Sequence, residues 1–231
     1  MNLTERLGIG RRELVSFIGA GGKTTLLLSL GAELAASGSR LVLTTTTKMG
    51  ADQTPTWTTM CDTLGEVRAA LDAEYPAFLI GSRAGDKLLG VAPALVDDVF
   101  TNLDPSHVLV EADGARRRSL KAPARHEPVI PTESTTVVVV AGLDAVGHRI
   151  ADVAHRPQLV ASLLGGTVDD VLRPEDVAMV LGHPEGGLAR VPASARIVVA
   201  LTKAVGDSAV EIEQRLTSHQ RIDRVVVVAG G

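Results

Sequence analysis

Apolar positions along this chain fall into two kinds of pattern, short runs of leucine and β-branched residues and longer stretches with leucine and alanine at helical spacing. The first kind predicts strands over Leu14 to Ile18, Arg40 to Thr45, Ala77 to Ile80, His107 to Val110, Thr135 to Val140, Ile197 to Leu201 and Val225 to Val228. The second predicts helices over Lys23 to Ser37, Leu64 to Asp72, Pro93 to Phe100, Pro157 to Leu164, Pro174 to Leu181 and Glu211 to Ser218. Gly38 follows the first helix where a C-cap belongs, and Pro93 stands where a helix start tolerates proline. Residues 82–91 read as an inserted hairpin bent at Gly85-Asp86. Strands alternating with helices, joined by right-handed crossovers, predict an α/β fold of three layers, a mainly parallel sheet flanked by helices. No internal repeat or low-complexity linker divides the chain, so one domain over 1–231 is expected.

The first strand breaks into Gly19-Ala20-Gly21-Gly22-Lys23-Thr24-Thr25. A buried strand, a glycine turn and a helix start together make a phosphate-binding loop. The unpaired N–H groups and positive dipole end of the helix point at whatever lies in the turn. Lys23 can reach β/γ-phosphates, and the Thr24 hydroxyl is placed to ligate Mg2+. Gly19 to Thr25 spell the short form G-x-x-G-K-T-T, because Phe17 occupies the position five before Gly22. This resembles the compact loop of the Mur ligases and folylpolyglutamate synthetases, and it places the chain among P-loop NTPase-like folds. A dinucleotide fingerprint is excluded by Thr24 at its third glycine position.

Later segments add candidate chemistry. The strand at His107 ends in Glu111-Ala112-Asp113-Gly114, an acidic strand end of the kind that holds Mg2+ directly or through water. Period-two alternation sets Glu111 and Asp113 on one face. Thr44 to Thr47 and Lys48 follow the second strand, where either β-propensity or a ligand crevice accounts for the hydroxyls. Thr46, Thr47 and Lys48 are the ligand-contact candidates there. Residues 50–63 are polar and read as a loop or lid, with Trp57 either touching substrate or packing on the domain. Residues 115–131 carry three prolines and five Arg/Lys residues, an irregular basic loop. Arg116, Lys121 and His126 are its candidate substrate or phosphate contacts, against the alternative of a solvated basic face.

Composition narrows the partners. Charged residues are 22% and aromatic residues 2% of the chain, and the net charge is −4, which offers nucleic acid neither a basic footprint nor stacking platforms. No apolar run reaches the ~18 residues of a membrane helix, and residues 1–12 carry no signal or anchor pattern. Cys61 is the single cysteine, which fits a reducing cytoplasm and an incidental thiol.

The segments Phe17 to Thr25, Thr44 to Met49, Glu111 to Ala115, Lys121 to Pro123 and His126 to Pro131 together resemble the YqeC-type proteins. Gly142-Leu143-Asp144, His155-Arg156-Pro157 and Gly186-Gly187-Leu188 extend the likeness over nearly the whole chain. That family is described as accessory factors for selenium-dependent molybdenum hydroxylases. The resemblance implies a P-loop nucleotide-binding fold, a role in maturing a selenium- or molybdenum-containing cofactor, and a hydroxylase or cofactor-transfer protein as partner. The expected cofactor is Mg2+ with ATP or GTP. The late strand leads into Thr202-Lys203-Ala204-Val205 without the aspartate that reads guanine, Asp207 coming two residues late, which favours ATP. In the resulting expectation Lys23 and Asp113 are catalytic, Gly19 to Thr25 bind nucleotide, and Thr24, Glu111 and Asp113 hold metal. An ATP-dependent ligase with a Mur-type loop and a nucleotide-gated binding protein without turnover are the alternatives.

Overall fold

The structure, a computed structural model, describes residues 2–204 and 207–228. The chain divides into two compact units. The first comprises Met1–Phe17, Thr24–Gly114 and Val129–Thr136, the second Ile18–Lys23, Ala115–Pro128 and Val137–Gly231.

In chain order the elements of the first unit are α1 (Leu3–Leu7), β1 (Glu13–Gly19), α2 (Lys23–Ala36), β2 (Leu41–Thr45), β3 (Met49–Gly50), β4 (Thr59–Cys61), α3 (Leu64–Asp72), β5 (Ala77–Leu79), β6 (Ser82–Ala84), β7 (Lys87–Leu89), α4 (Pro93–Asn102) and β8 (His107–Glu111); β1 and α2 begin or end in the glycine turn. The five central residues of β1 and all of β2 are buried, as expected of strands covered on both faces. They pair in parallel on either side of β8, with Phe17 and Thr45 both opposite Glu111. Leu26, Leu27, Leu30 and Leu34 form the buried stripe of α2. Thr63 and Glu66 close a capping box at the start of α3, and Pro93 opens α4.

The stretch 50–63, expected as a loop or lid, is more ordered than that expectation. β4 adds to β5 in parallel at the sheet edge. The Trp57 ring lies over Gly31 of α2, where a side chain would be squeezed between Trp57, Leu43 and Leu109. Of the two roles open to Trp57, the structure shows packing. The hairpin at 82–91 forms with its bend between Ala84 and Lys87, and β3 joins it as a third antiparallel strand.

The second unit contains β9 (Leu120–Lys121), β10 (Thr136–Gly142), α5 (Ile150–Val153), β11 (Ala154–His155), α6 (Pro157–Leu164), α7 (Pro174–Gly182), β12 (Arg196–Thr202), α8 (Ser208–Thr217) and β13 (Arg224–Val227). β12 and β13 are parallel, and Asp223 anchors their start by accepting from the Ile197 N–H at 2.7 Å. The last helix begins at Ser208 rather than Glu211, since Ser208, Ala209 and Val210 continue its pattern N-terminally and Ala209 is buried with Ile212 and Leu216. β9 and β11 pair in parallel, which gives the basic stretch at 115–131 an ordered core where an irregular loop was expected.

The central sheet has eight strands in the order β13-β12-β10-β1-β8-β2-β5-β4, mostly parallel and flanked by helices. This is the three-layer, P-loop-like α/β architecture. No helix among the described residues is long and apolar enough to cross a membrane.

Two glycines of the first unit test this packing in opposite directions. A side chain at Gly90 would strike the backbone of Thr46 and Thr47, whereas one at Gly65 in α3 meets nothing. Gly90→Ala should therefore cost about 2 kcal/mol through overpacking, and Gly65→Ala should add roughly 0.5 to 1 kcal/mol through helix propensity. Urea denaturation midpoints check both; equal effects of the two substitutions would contradict the packing described.

Candidate phosphate and metal site

The glycine turn belongs to the second unit and is held down by its neighbours. Gly19 and Gly21 have φ of +93° and +81°, and a Cβ at Gly21 would collide with the Gly142 backbone. Only glycine allows both the backbone angle and the close approach. The Ala20 N–H donates to the Val140 carbonyl and the Gly21 N–H to the Arg118 carbonyl, each at 2.8 Å. The Thr202 hydroxyl donates to the Gly21 carbonyl and also reaches that of Ala141 at 3.2 Å. The loop thus does not present its amides equally. Those of Ala20 and Gly21 are bonded to protein carbonyls, and Gly22, with φ of +114°, leads into α2. The first turn of that helix has N–H groups with no intrahelical partner. Lys23 is 4% exposed, and its Nζ donates to the Gly19 carbonyl at 2.8 Å.

In the first unit the Thr24 hydroxyl donates to Glu111 Oε2 at 2.7 Å. The threonine run is largely consumed in building the strand ends around it. The Thr44 hydroxyl donates to the Leu79 carbonyl at 2.8 Å, that of Thr45 to the Glu111 carbonyl at 2.9 Å, and that of Thr46 to the Val129 carbonyl at 2.7 Å. Thr47 is half-buried and Lys48 exposed, so the crevice role expected of the run narrows toward those two side chains. Asp113 is 2% exposed, just beyond Ala112, which continues the ladder by donating to the Phe17 carbonyl at 2.9 Å. Among the described residues no three His, Cys, Asp or Glu side chains group as a metal cage. A hydroxyl and one or two carboxylates suit Mg2+, which keeps waters and takes phosphate oxygens rather than an all-protein shell.

The basic segment of the second unit is built around a carboxylate. Lys121, 1% exposed at its side chain, meets Glu127 Oε2 at 2.7 Å, and Arg156 meets the same oxygen at 2.6 Å. Burial would push the Glu127 carboxyl up, but hydrogen bonds and charge from Arg156 and Lys121 bring it down to about 2. His155 lies beside them. Burial and the charges of Lys121 and Arg156 hold it at about 4, so it is neutral at pH 7. Arg116 and His126 are exposed. Thus Lys121 is a buried ion-pair member, not a surface contact. Arg156 and His155 join the cluster although residue type alone did not single them out; the signal was the His-Arg-Pro triplet before α6.

Lys203 donates to Asp144 Oδ2 at 2.9 Å and lies 3.2 Å from the Ser119 hydroxyl, so the lysine of the late-strand segment is engaged within its own unit. Val205 of that segment lies outside the described residues. Cys61 is buried in β4, and burial, with Glu66 and Asp62 nearby, pushes its thiol pKa up. That disfavours a reactive thiolate.

His155 and Glu127 shape the acid limb of stability. Between pH 6.5 and about 4 the unfolded chain protonates a histidine that the folded chain keeps neutral, so stability falls as pH falls. The pairing of Glu127 stabilises fully above pH 4.5 and is lost as pH falls toward 2. His155→Gln should flatten the first interval. Glu127→Gln should flatten the second and cost about 3 to 5 kcal/mol at pH 7, because buried Lys121 and half-buried Arg156 lose this counter-charge. Urea unfolding across this pH range is the measurement, and an unchanged slope in His155→Gln between pH 6.5 and 4 would contradict the burial described.

The YqeC protein family matches residues 15–158, a span that contains the glycine turn, Glu111, Asp113, Glu127 and Arg156. An uncharacterized protein YqeC of Escherichia coli (strain K12) is 34% identical over 191 residues, covering 81% of this chain and 75% of that one. The chain belongs to the YqeC protein family.

Proposed function

We propose that the protein binds a nucleotide with Mg2+, ATP in preference to GTP, and hydrolyses it while serving as an accessory factor in maturing a selenium- or molybdenum-cofactor hydroxylase. The observation that carries the nucleotide reading is the 2.7 Å bond from Thr24 to Glu111, directly after Lys23 at the start of α2. A loop lysine followed by a hydroxyl already oriented by a strand-end carboxylate is the donor set that phosphoryl transfer uses. The maturation role follows from the family likeness in the sequence.

The residues take distinct parts. Gly22 and the first turn of α2 offer N–H donors to phosphate oxygens. Lys23 would exchange its bond to the Gly19 carbonyl for a phosphate oxygen and oppose the charge that develops there. Thr24, Glu111 and Asp113 would hold the Mg2+, which when bound supplies charge neutralisation between phosphates. Ala20 and Gly21 shape the turn by their bonds to Val140 and Arg118. The preference for ATP is supported by the late strand, whose Lys203 is tied to Asp144 and which has no aspartate two residues on.

Isothermal calorimetry tests this with Mg-ATP and Mg-GTP. Lys23→Ala should weaken binding about 10- to 100-fold, the equivalent of a charge-assisted hydrogen bond. Thr24→Ala should reduce the gain in affinity that Mg2+ gives. A wild-type protein that binds neither nucleotide would defeat the proposal, and binding without turnover in the presence of a partner would reduce it to a nucleotide-gated docking role.

A further inference from the structure

Asp144 follows β10 and Lys203 follows β12, two neighbouring strands of the central sheet, and both residues belong to the second unit. The Lys203 ammonium donates to Asp144 Oδ2 at 2.9 Å and to the Ser119 hydroxyl at 3.2 Å. Two features set this trio apart from an ordinary surface ion pair. Asp144 Oδ1 is buried and has no hydrogen-bond donor among the described residues. It lies so close to Gly142 that a Cβ there would come within 2.5 Å of it. Lys203 holds φ of +51°, a left-handed backbone that a lysine adopts only at a cost. An acceptor left without a donor and a strained backbone both collect where a site needs the side chain more than the fold does. Here they meet on one ion pair. Its head groups stay accessible, the side chains of Lys203 and Asp144 being 44% and 41% exposed, while Ser119 is buried.

The trio adjoins the glycine turn within the same unit. Thr202, directly before Lys203, donates its hydroxyl to the Gly21 carbonyl, and Gly142 donates to the Ser119 carbonyl at 2.8 Å while lying against Gly21. An ammonium paired with a carboxylate has no net charge, so the pair favours neither an anion nor a cation. It sets a strong acceptor beside strong donors, the complement of two adjacent hydroxyls that each give and take a hydrogen bond. A nucleobase is held chiefly by stacking on aromatic rings. Phe17, Trp57, Tyr75, Phe78 and Phe100 are all the Phe, Trp and Tyr residues of the chain, and every one lies in the first unit. The polar trio therefore suits a sugar better than a base.

We propose that Asp144 and Lys203 take the vicinal hydroxyls of the nucleotide's ribose, Asp144 Oδ2 accepting from one and Lys203 Nζ donating to the other. Ser119 is a positioning residue that holds the ammonium in place. The inference rests on the nucleotide reading and adds to it a selection of ribonucleotides over deoxyribonucleotides. A phosphate held at the glycine turn leaves the sugar within reach of the pair, because Gly21 and Gly142 touch. Lys203 has a third N–H to give after its bonds to Asp144 and Ser119. Asp144 has Lys203 as its side-chain donor among the described residues, and a sugar hydroxyl supplies a second. Carboxylates take ribose hydroxyls in the same manner in dinucleotide-binding folds.

Isothermal calorimetry on the full chain compares Mg-ATP with its 2′-deoxy and 3′-deoxy forms. The wild type should bind ATP about tenfold more tightly than each deoxy form, the loss of one charge-assisted hydrogen bond. Asp144→Ala and Lys203→Met should each bring that ratio to about twofold or less, although they change the local charge in opposite senses. Ser119→Ala should lower the ratio in part. Lys23→Ala should weaken all three nucleotides and leave the ratio as it was. A variant that merely folds less well weakens the three equally, so the ratio separates sugar contact from a structural role. A wild type that binds ATP and either deoxy form equally overturns this inference and leaves the nucleotide reading standing. A ratio that survives in both Asp144→Ala and Lys203→Met overturns it too, since the sugar is then held elsewhere. A wild type that binds none of the three brings down both.

Discussion

Much of the second unit depends on one close approach, where Gly21 lies against Gly142 with no side chain between them. Two backbones can come this near only if neither carries a Cβ, and the bonds around the point then follow. Gly21 donates to Arg118, Gly142 donates to Ser119, and Ala20 donates to Val140, all at 2.8 Å. One glycine contact therefore ties the phosphate loop, the end of β10 and the start of the basic segment. A larger residue at either position would separate the loop from the arginine turn. The arginines would survive in composition and lose their place.

The same bonds change what the loop can do. A longer Walker loop wraps phosphate with successive free amides. Here two amides and a carbonyl are spent on holding the turn down. A loop built this way would depend more on charge and less on its backbone for any phosphate it met. Lys23 is the first such charge. The threonine run also belongs to this division of work, since Thr44, Thr45 and Thr46 spend their hydroxyls on the carbonyls of Leu79, Glu111 and Val129, and the Thr45 hydroxyl with the Thr46 N–H fixes the backbone of Glu111. With that backbone fixed, its side chain is left to meet Thr24.

Which parts were legible in the sequence follows from how local their causes are. α3 and α6 begin and end where their sequence patterns predict, because a capping box and an N1 proline are signals within a few residues. The glycine turn and the acids at 111 and 113 were legible because their order along the chain is itself the signal. β4, β9 and β11 were not, being two or three residues long with no alternation to show. Lys121 is the instructive miss. A lysine among arginines and prolines reads as solvated, and only the pairing of β9 with β11 turns it inward onto Glu127. Arg156 was hidden for the same reason, since its partner lies 29 residues back in the chain.

The cluster at Glu127 is decided by burial as much as by charge. Lys121 and Arg156 meet one oxygen of that carboxylate, and burial together with their charges keeps the neighbouring His155 imidazole neutral. A protonated histidine there would add repulsion between like charges and lose hydration that burial does not return. Neutral imidazole is therefore the state that the packing favours, and the pairing of β9 with β11 is what brings these residues together.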